Sequence, residues 1–214
     1  MAEPLSVVVV GAGGHGSSTL DAVLLRADQF RVVGIADANP ARRGKALYGV
    51  PVLGGDSCWT GSDRPAEIRG IVLGVGDNEV RRRVQLVAER EGLVVAIVVQ
   101  PAATISPHAR LGAGTVALAG SIVNAGAAIG RGVILNTGSH VDHDCHIGDF
   151  AHVAPGVALA GWVTVGEAAF IGVGAAVVPN VQVGDRATVG AGTTILHDVP
   201  AGEVWVGTPA RRLR

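Results

Sequence analysis

Aromatic residues are scarce in this chain, at 3% of 214 residues, with three Trp, three Phe and one Tyr. A core must therefore be assembled from Val, Ile, Leu and Ala, which argues against a sandwich packed on large rings. Cysteine is rarer still. Cys58 and Cys145 are far apart and form no CxxC pair, so a reduced, cytoplasmic location is the simplest expectation. The formal net charge is only -1, which supplies no basic excess for a nucleic-acid or anionic-membrane partner. Lysine is almost absent: Lys45 is the one lysine among 17 basic residues, a compositional trait without functional content. The longest apolar runs, Val7–Val10 and Leu93–Val99, are strand-sized, well short of the roughly 20 residues that span a bilayer. The N-terminal apolar stretch runs straight into a glycine-rich turn, so it does not read as a signal peptide.

What is present is a repeat. From Ile105 to Ile195 every sixth residue is aliphatic or alanine: Ile105, Leu111, Ala117, Val123, Ile129, Leu135, Val141, Ile147, Val153, Leu159, Val165, Ile171, Val177, Val183, Val189 and Ile195. Two residues before many of these sits a small side chain, such as Thr115, Ser121, Ala127, Ser139, Cys145 or Ala151, and glycine often follows the aliphatic. No helix has a period of six. A parallel β-helix does, because each hexad forms one wall of a prism and its aliphatic stacks on the equivalents in neighbouring coils. The small inward place of Cys145 marks it as core, not as a nucleophile.

The first hundred residues obey another rule. Buried-strand runs are expected at Ser6–Val10, Arg31–Ala36, Val50–Leu53, Ile71–Val75 and Leu93–Val99. Helices are expected over Ser17–Arg26 and Asp77–Glu91, the second on the periodicity of Val80, Val84, Leu86 and Val87. Alternating strands and helices give an α/β unit with a parallel sheet. The predicted division is a Rossmann-like domain over residues 1–102 and a β-helix domain over residues 103–214.

The first strand ends in Gly11-Ala12-Gly13-Gly14-His15-Gly16, which fits G-x-G-x-x-G, and Asp37 closes the second strand. Glycines let backbone amides approach a pyrophosphate, a helix N-terminus favours its charge, and an acid at the second strand accepts from a ribose hydroxyl. A nucleotide diphosphate is the expected ligand, a purely structural turn the alternative, and NAD the less favoured nucleotide because the unit is only half a full Rossmann domain.

His140, His143, His146 and His152 interrupt the repeat together with Asp142 and Asp144. Two chemistries compete. For a metal, His140, His146 and His152 share one hexad position and so face out from three different walls, unable to converge within one chain, and no tight ligand motif is present. For acid–base catalysis, His143 lies in a turn two residues past an inward Val141, and the adjacent Asp144 can hold one ring nitrogen. The second reading is preferred, and no metal is expected.

Both halves together resemble the NeuD/PglD-like sugar acyltransferases, which include UDP-4-amino-sugar and GDP-perosamine N-acetyltransferases and sialic acid O-acetyltransferases. The resemblance rests on Val10–Gly16, Gly49–Gly54, Val75–Arg81, Asn136-Thr137-Gly138, Val141–Cys145 and Val206–Arg211. It implies a left-handed β-helix, a homotrimer with its site at a subunit interface, and acetyl-CoA as co-substrate. It implies His143 as general base oriented by Asp144, with the Gly161 amide at the oxyanion. It places Asn136 near the acceptor, His152 near the acetyl group, and CoA along Gly161, Val173, Ala191, Pro209 and Arg211. The nucleotide sugar would meet Gly11, Gly13, Gly14, His15, Gly16, Asp37, Gly76 and Asn78. Two departures touch the nucleotide side: Ala38 and Asn39 stand where relatives often carry an acidic residue and a lysine, and Ser17-Ser18 replace a more usual lysine-led start of the helix. The function expected is N-acetylation of a nucleotide-linked 4-amino sugar. The alternatives are O-acetylation of a sialic-acid-like sugar, a non-catalytic sugar-nucleotide scaffold and, least favoured, a γ-carbonic-anhydrase-like metalloenzyme.

Overall fold

The computed structural model describes residues 3–62 and 64–213. The chain divides between Pro101 and Ala102 into two compact units.

In the first unit β1 (Leu5–Val10), rich in valine, is the central strand. It pairs in parallel with β2 (Phe30–Ala36) on one side and, on the other, with a later strand, Gly70–Leu73. Beyond β2 lie β3 (Ala46–Leu47) and β4 (Val50–Gly54), which form a small antiparallel hairpin that sequence periodicity did not reveal. The Gly70–Leu73 strand is β5, and β6 (Val94–Val95) pairs with it to close the order β3-β4-β2-β1-β5-β6. The expected single strand over Leu93–Val99 is broken. Ala96 donates its amide to the Ile71 carbonyl at the end of β6, and Val98–Val99 does not join this sheet.

Helix α1 (Gly14–Leu24) begins three residues earlier than periodicity suggested, inside the glycine loop, so its first turn is Gly14-His15-Gly16. Helix α2 (Asn78–Arg90) is capped by Asp77, whose Oδ1 accepts from the Val80 amide at 2.8 Å, the usual device for an orphan amide at a helix start. Its buried face is not the valine stripe but Arg81, Gln85 and Ala88.

The second unit is the β-helix. Dipeptide strands pair in parallel with equivalents eighteen residues on, giving three walls. One carries Ile122, His140, Ala158, Ala176 and Thr194. The next carries Arg110, Ala128, His146, Thr164 and Gln182. The third carries Val116, Ile134, His152, Phe170, Thr188 and Val204. The hexad aliphatics from Ala117 to Ile195 are all buried, and Ile105 and Leu111, in the first coil, are only partly covered. A final antiparallel pair, Val204–Val206 with Arg211–Arg212, ends the third wall.

Candidate active site

The chemistry-bearing residues gather in two places, one in each unit. In the β-helix the turn between the first and second walls carries Asp142-His143-Asp144. Nδ1 of His143 lies 3.0 Å from Asp144 Oδ2, and both side chains are roughly half exposed. Asp142 faces the other way: its Oδ1 accepts from the His143 amide at 2.7 Å and from Asn124 Nδ2 at 2.8 Å. Those hydrogen bonds, the Asn124 one foremost, hold its carboxyl below the usual carboxylate range.

The coils above and below shape this turn. A Cβ added to Gly161 would sit 2.6 Å from His143 Cε1, so the imidazole lies directly against that glycine. A Cβ at Gly126 would collide with Asp144 Oδ1. Each partner of the His–Asp pair thus rests on a glycine of an adjacent coil. The Trp162 ring packs perpendicular to the imidazole, centroids 4.5 Å apart. Among the described residues the Gly161 N–H has no hydrogen-bond acceptor. Cys145 is buried, its thiol donating to the Ala160 carbonyl at 3.1 Å, and burial pushes its pKa up, the profile of a packing cysteine. Along the first wall Ile122, Asn124, His140, Asp142 and Ala158 line an open groove of about 510 Å³.

The remaining expected residues lie elsewhere on the prism. Asn136 Nδ2 is 3.2 Å from His152 Nε2, and His152 packs edge-on to Phe170 on the third wall. Val173 and Ala191 occupy one exposed corner beyond that wall, a coil apart and linked by the Gly192 amide to the Val173 carbonyl at 2.8 Å. Pro209 and Arg211 share a depression of about 310 Å³ with Leu196, His197 and Trp205. His140, His146 and His152 stand on three separate walls, and among the described residues no group of three or more His, Cys, Asp or Glu is placed to hold a metal ion.

In the first unit the glycine loop sits at the carboxyl ends of β1 and β2, where open α/β sheets bind ligands. Two of its glycines answer to the protein. A Cβ on Gly11 (φ +111°) would lie 2.5 Å from the Gly74 carbonyl oxygen, and one on Gly16 would strike the Gly11 carbonyl. Gly13 and Gly14 meet no protein atom within 4 Å, so nothing in the fold occupies the space a side chain would fill there. Asp37 does not present a free carboxylate: Oδ2 accepts from the Ala12 amide at 2.7 Å and Oδ1 from the Asn39 amide at 2.9 Å. It staples the loop to the end of β2.

Beside the loop, Gly11, Asp37, Asp56, Trp59, Val80, Arg83, Val84 and Val87 are among the residues lining a cavity of about 490 Å³. Here the valine stripe of α2 finds its place, facing the cavity. His15 lies against Gly76 and near Thr19, and burial, aided by the Arg81 charge, lowers its pKa from 6.5 to about 4. Arg81 is fully buried, donating to the carbonyls of Val75 and Gly76 and to Asn78 Oδ1 at 3.2, 3.0 and 2.8 Å. Burial lowers its pKa to about 10, so the guanidinium stays charged at neutral pH. Asp56, Trp59, Arg81 and Arg83 were not singled out as site residues. Arg81 could have been found from its place between the Asp77 cap and Gln85 on one helical face; Asp56 and Trp59 carried no sequence signal.

The PglD N-terminal domain family matches residues 6–87, and the bacterial transferase hexapeptide family (six repeats) matches residues 163–197. The acetyltransferase domain of PglB from Neisseria gonorrhoeae is 34% identical, the match covering 98% of this chain and 100% of that one with a TM-score of 0.90. The chain belongs to the PglD-like acyltransferase family. This PglD-like chain is also 36% identical to PerB from Caulobacter crescentus, solved with CoA and GDP-perosamine, over 98% of its own length and 97% of the other, with a TM-score of 0.89. Perosamine N-acetyltransferase from the same organism has been solved with CoA and GDP-perosamine in two variants of one histidine. WeeI from Acinetobacter baumannii is 27% identical over 97% and 99% of the two chains, with a TM-score of 0.88. None of the curated proteins matches this chain. Its fold is that of the family, a Rossmann-like α/β unit followed by a left-handed β-helix of hexapeptide repeats.

Proposed function

We propose that this PglD-like chain transfers the acetyl group of acetyl-CoA to the amine of a nucleotide-linked 4-amino sugar, with His143 as general base. The observation that carries the assignment is the 3.0 Å contact between His143 Nδ1 and Asp144 Oδ2. With Nδ1–H donated to that carboxylate, the lone pair sits on Nε2. The sugar amine gives a proton to Nε2 as its nitrogen bonds to the thioester carbonyl, and Asp144 stabilises the imidazolium. The Gly161 N–H, which has no acceptor among the described residues, suits the oxyanion of the tetrahedral intermediate. As the C–S bond breaks, the imidazolium returns its proton to the CoA sulfur.

The glycine loop, with Gly13 and Gly14 open to a ligand, supports a diphosphate at the α1 N-terminus. The neighbouring cavity suits the nucleoside. The exposed corner at Val173 and Ala191 and the depression at Pro209 and Arg211 suit CoA. These lie beyond the third wall, whereas His143 occupies the turn after the first. Their separation on one chain supports a site completed by a second copy of the chain.

The test is release of free CoA thiol from acetyl-CoA with a panel of UDP-, GDP- and dTDP-linked 4-amino sugars and matched hydroxyl sugars. Turnover with an amine acceptor is expected, and a His143→Ala variant should lose on the order of 10²–10⁴-fold in rate. Turnover with a hydroxyl sugar alone would replace N- by O-acetylation. Binding of a nucleotide sugar without any thiol release would leave a scaffold.

A further inference from the structure

From Gly114 to Gly192 each corner of the β-helix contains one residue in the left-handed backbone region, and the corner of the His–Asp pair shows the series clearly. At eighteen-residue intervals it reads Gly126 (φ +77°), Asp144 (φ +57°), Trp162 (φ +59°) and Asn180 (φ +65°). Gly, Asp and Asn are the types that tolerate this conformation, whereas a bulky side chain is strained there. Trp162 breaks the series. Burial does not account for it: 55% of the residue is exposed. Other side chains adopt this backbone at the next corner, namely Phe150 (φ +59°, 1% exposed), Ala168 (φ +53°) and the exposed Arg186 (φ +55°), so what sets Trp162 apart is its contact with the His–Asp pair. The ring contact recorded for Trp162 is the perpendicular one with His143, and its amide donates to the His143 carbonyl at 3.1 Å. Strain held at a contact with a reactive group is a pointer to function.

We propose that Trp162 is a positioning residue for His143, a strained turn tryptophan whose indole fixes the imidazole between Asp144 and Gly161. The inference rests on the general-base reading of His143. Asp144 restrains one nitrogen and Gly161 one side of the ring; without the indole the ring is free to rotate about its remaining bond, and the proton-accepting nitrogen leaves its line to the acceptor amine.

The experiment is a double-mutant cycle in the thiol-release assay with Trp162→Gly, Trp162→Phe, His143→Ala and the Trp162→Gly/His143→Ala pair. Trp162→Gly should lower kcat about 10–100-fold, the scale of a misplaced catalytic group, with KM for both substrates within about twofold. Relief of the turn strain should leave its melting temperature equal to, or about 2–4 °C above, the parent. Trp162→Phe, which keeps a ring against the imidazole, should recover most of the lost kcat. In the His143→Ala background Trp162→Gly should have no further effect, because the group it positions is gone. A parental kcat in Trp162→Gly, an undiminished loss in the His143→Ala background, or a lower melting temperature or altered sedimentation would each overturn the proposal. The two readings fail distinguishably. Unimpaired His143→Ala removes the general base and the positioning role together, whereas impaired His143→Ala with unimpaired Trp162→Gly removes only the latter.

Discussion

His15 stands at the first turn of α1, beside Gly76 and within the field of the buried Arg81. Its pKa falls from 6.5 to about 4, so it is neutral at physiological pH. The unfolded chain binds a proton at this position below about 6.5, and the folded chain does not until about 4. Stability contributed by neutral His15 is therefore complete above about pH 6.5 and lost as pH falls towards 4. Melting temperatures measured from pH 7 to pH 4 should fall for the parent more steeply than for His15→Asn; parallel curves would refute this. At the same scale, the His143–Asp144 pair was legible because the two residues are neighbours in sequence and their hydrogen bond is local. Gly126, Gly161 and Trp162 were not singled out for the surfaces they present to that pair. They reach it only because eighteen residues make one coil, and reading the turn against positions eighteen away would have exposed them.

The turns of the β-helix use glycine for two different physical reasons, and only one was apparent in the hexad pattern. Glycines directly after the second-wall aliphatics, Gly112, Gly130, Gly148, Gly166 and Gly184, lie against the backbone of the next coil. A Cβ on Gly148 would be 2.7 Å from Glu167 N and 2.7 Å from Gly166 C. Glycines at the corners themselves, such as Gly132 after the second wall and Gly138 after the third, instead supply the positive φ, and Gly138 has open space around it. Gly148→Ala should therefore force two coils apart and cost about 2–3 kcal/mol. Gly138→Ala should cost only about 1–2 kcal/mol, from conformation alone. Denaturant midpoints of the two variants check the order, and equal losses would contradict it. The misplaced elements of the first unit have similar local causes. Helix α1 starts at Gly14 because the loop's glycines form its first turn, whereas a propensity reading starts it at the first ordinary residue. The Leu93–Val99 run splits because only Val94–Val95 lies along the edge of β5, whereas Val98–Val99 belongs to another sheet.

Taken as a whole, the β-helix presents its candidate site residues on separate corners: His143 and Asp144 after the first wall, Asn136, His152, Val173 and Ala191 on and beyond the third. The first-wall groove is lined largely by aliphatic side chains, Ile122, Ala158, Leu159 and Val177 among them, and Trp162, Val173 and Leu196 are exposed. Surfaces of this kind on neighbouring walls suit self-association about a closed symmetry axis. Sedimentation equilibrium should give three chains per particle. A monomer with full transferase activity would show that one chain contains the complete site.

The amino-acid sequence by itself determined the β-helix and the α/β character of the first unit, since both are written as periods, six residues in one and strand–helix alternation in the other. It also determined the His143–Asp144 pair, a local contact. Only the tertiary structure decided what lies eighteen residues away. It set the Gly161 and Trp162 surfaces against the imidazole, turned the valine stripe of α2 to a cavity and Arg81 to the interior, and tied Asp37 to the glycine loop. Periodicity is a property of neighbours along the chain, whereas these contacts depend on how coils and layers are brought into register.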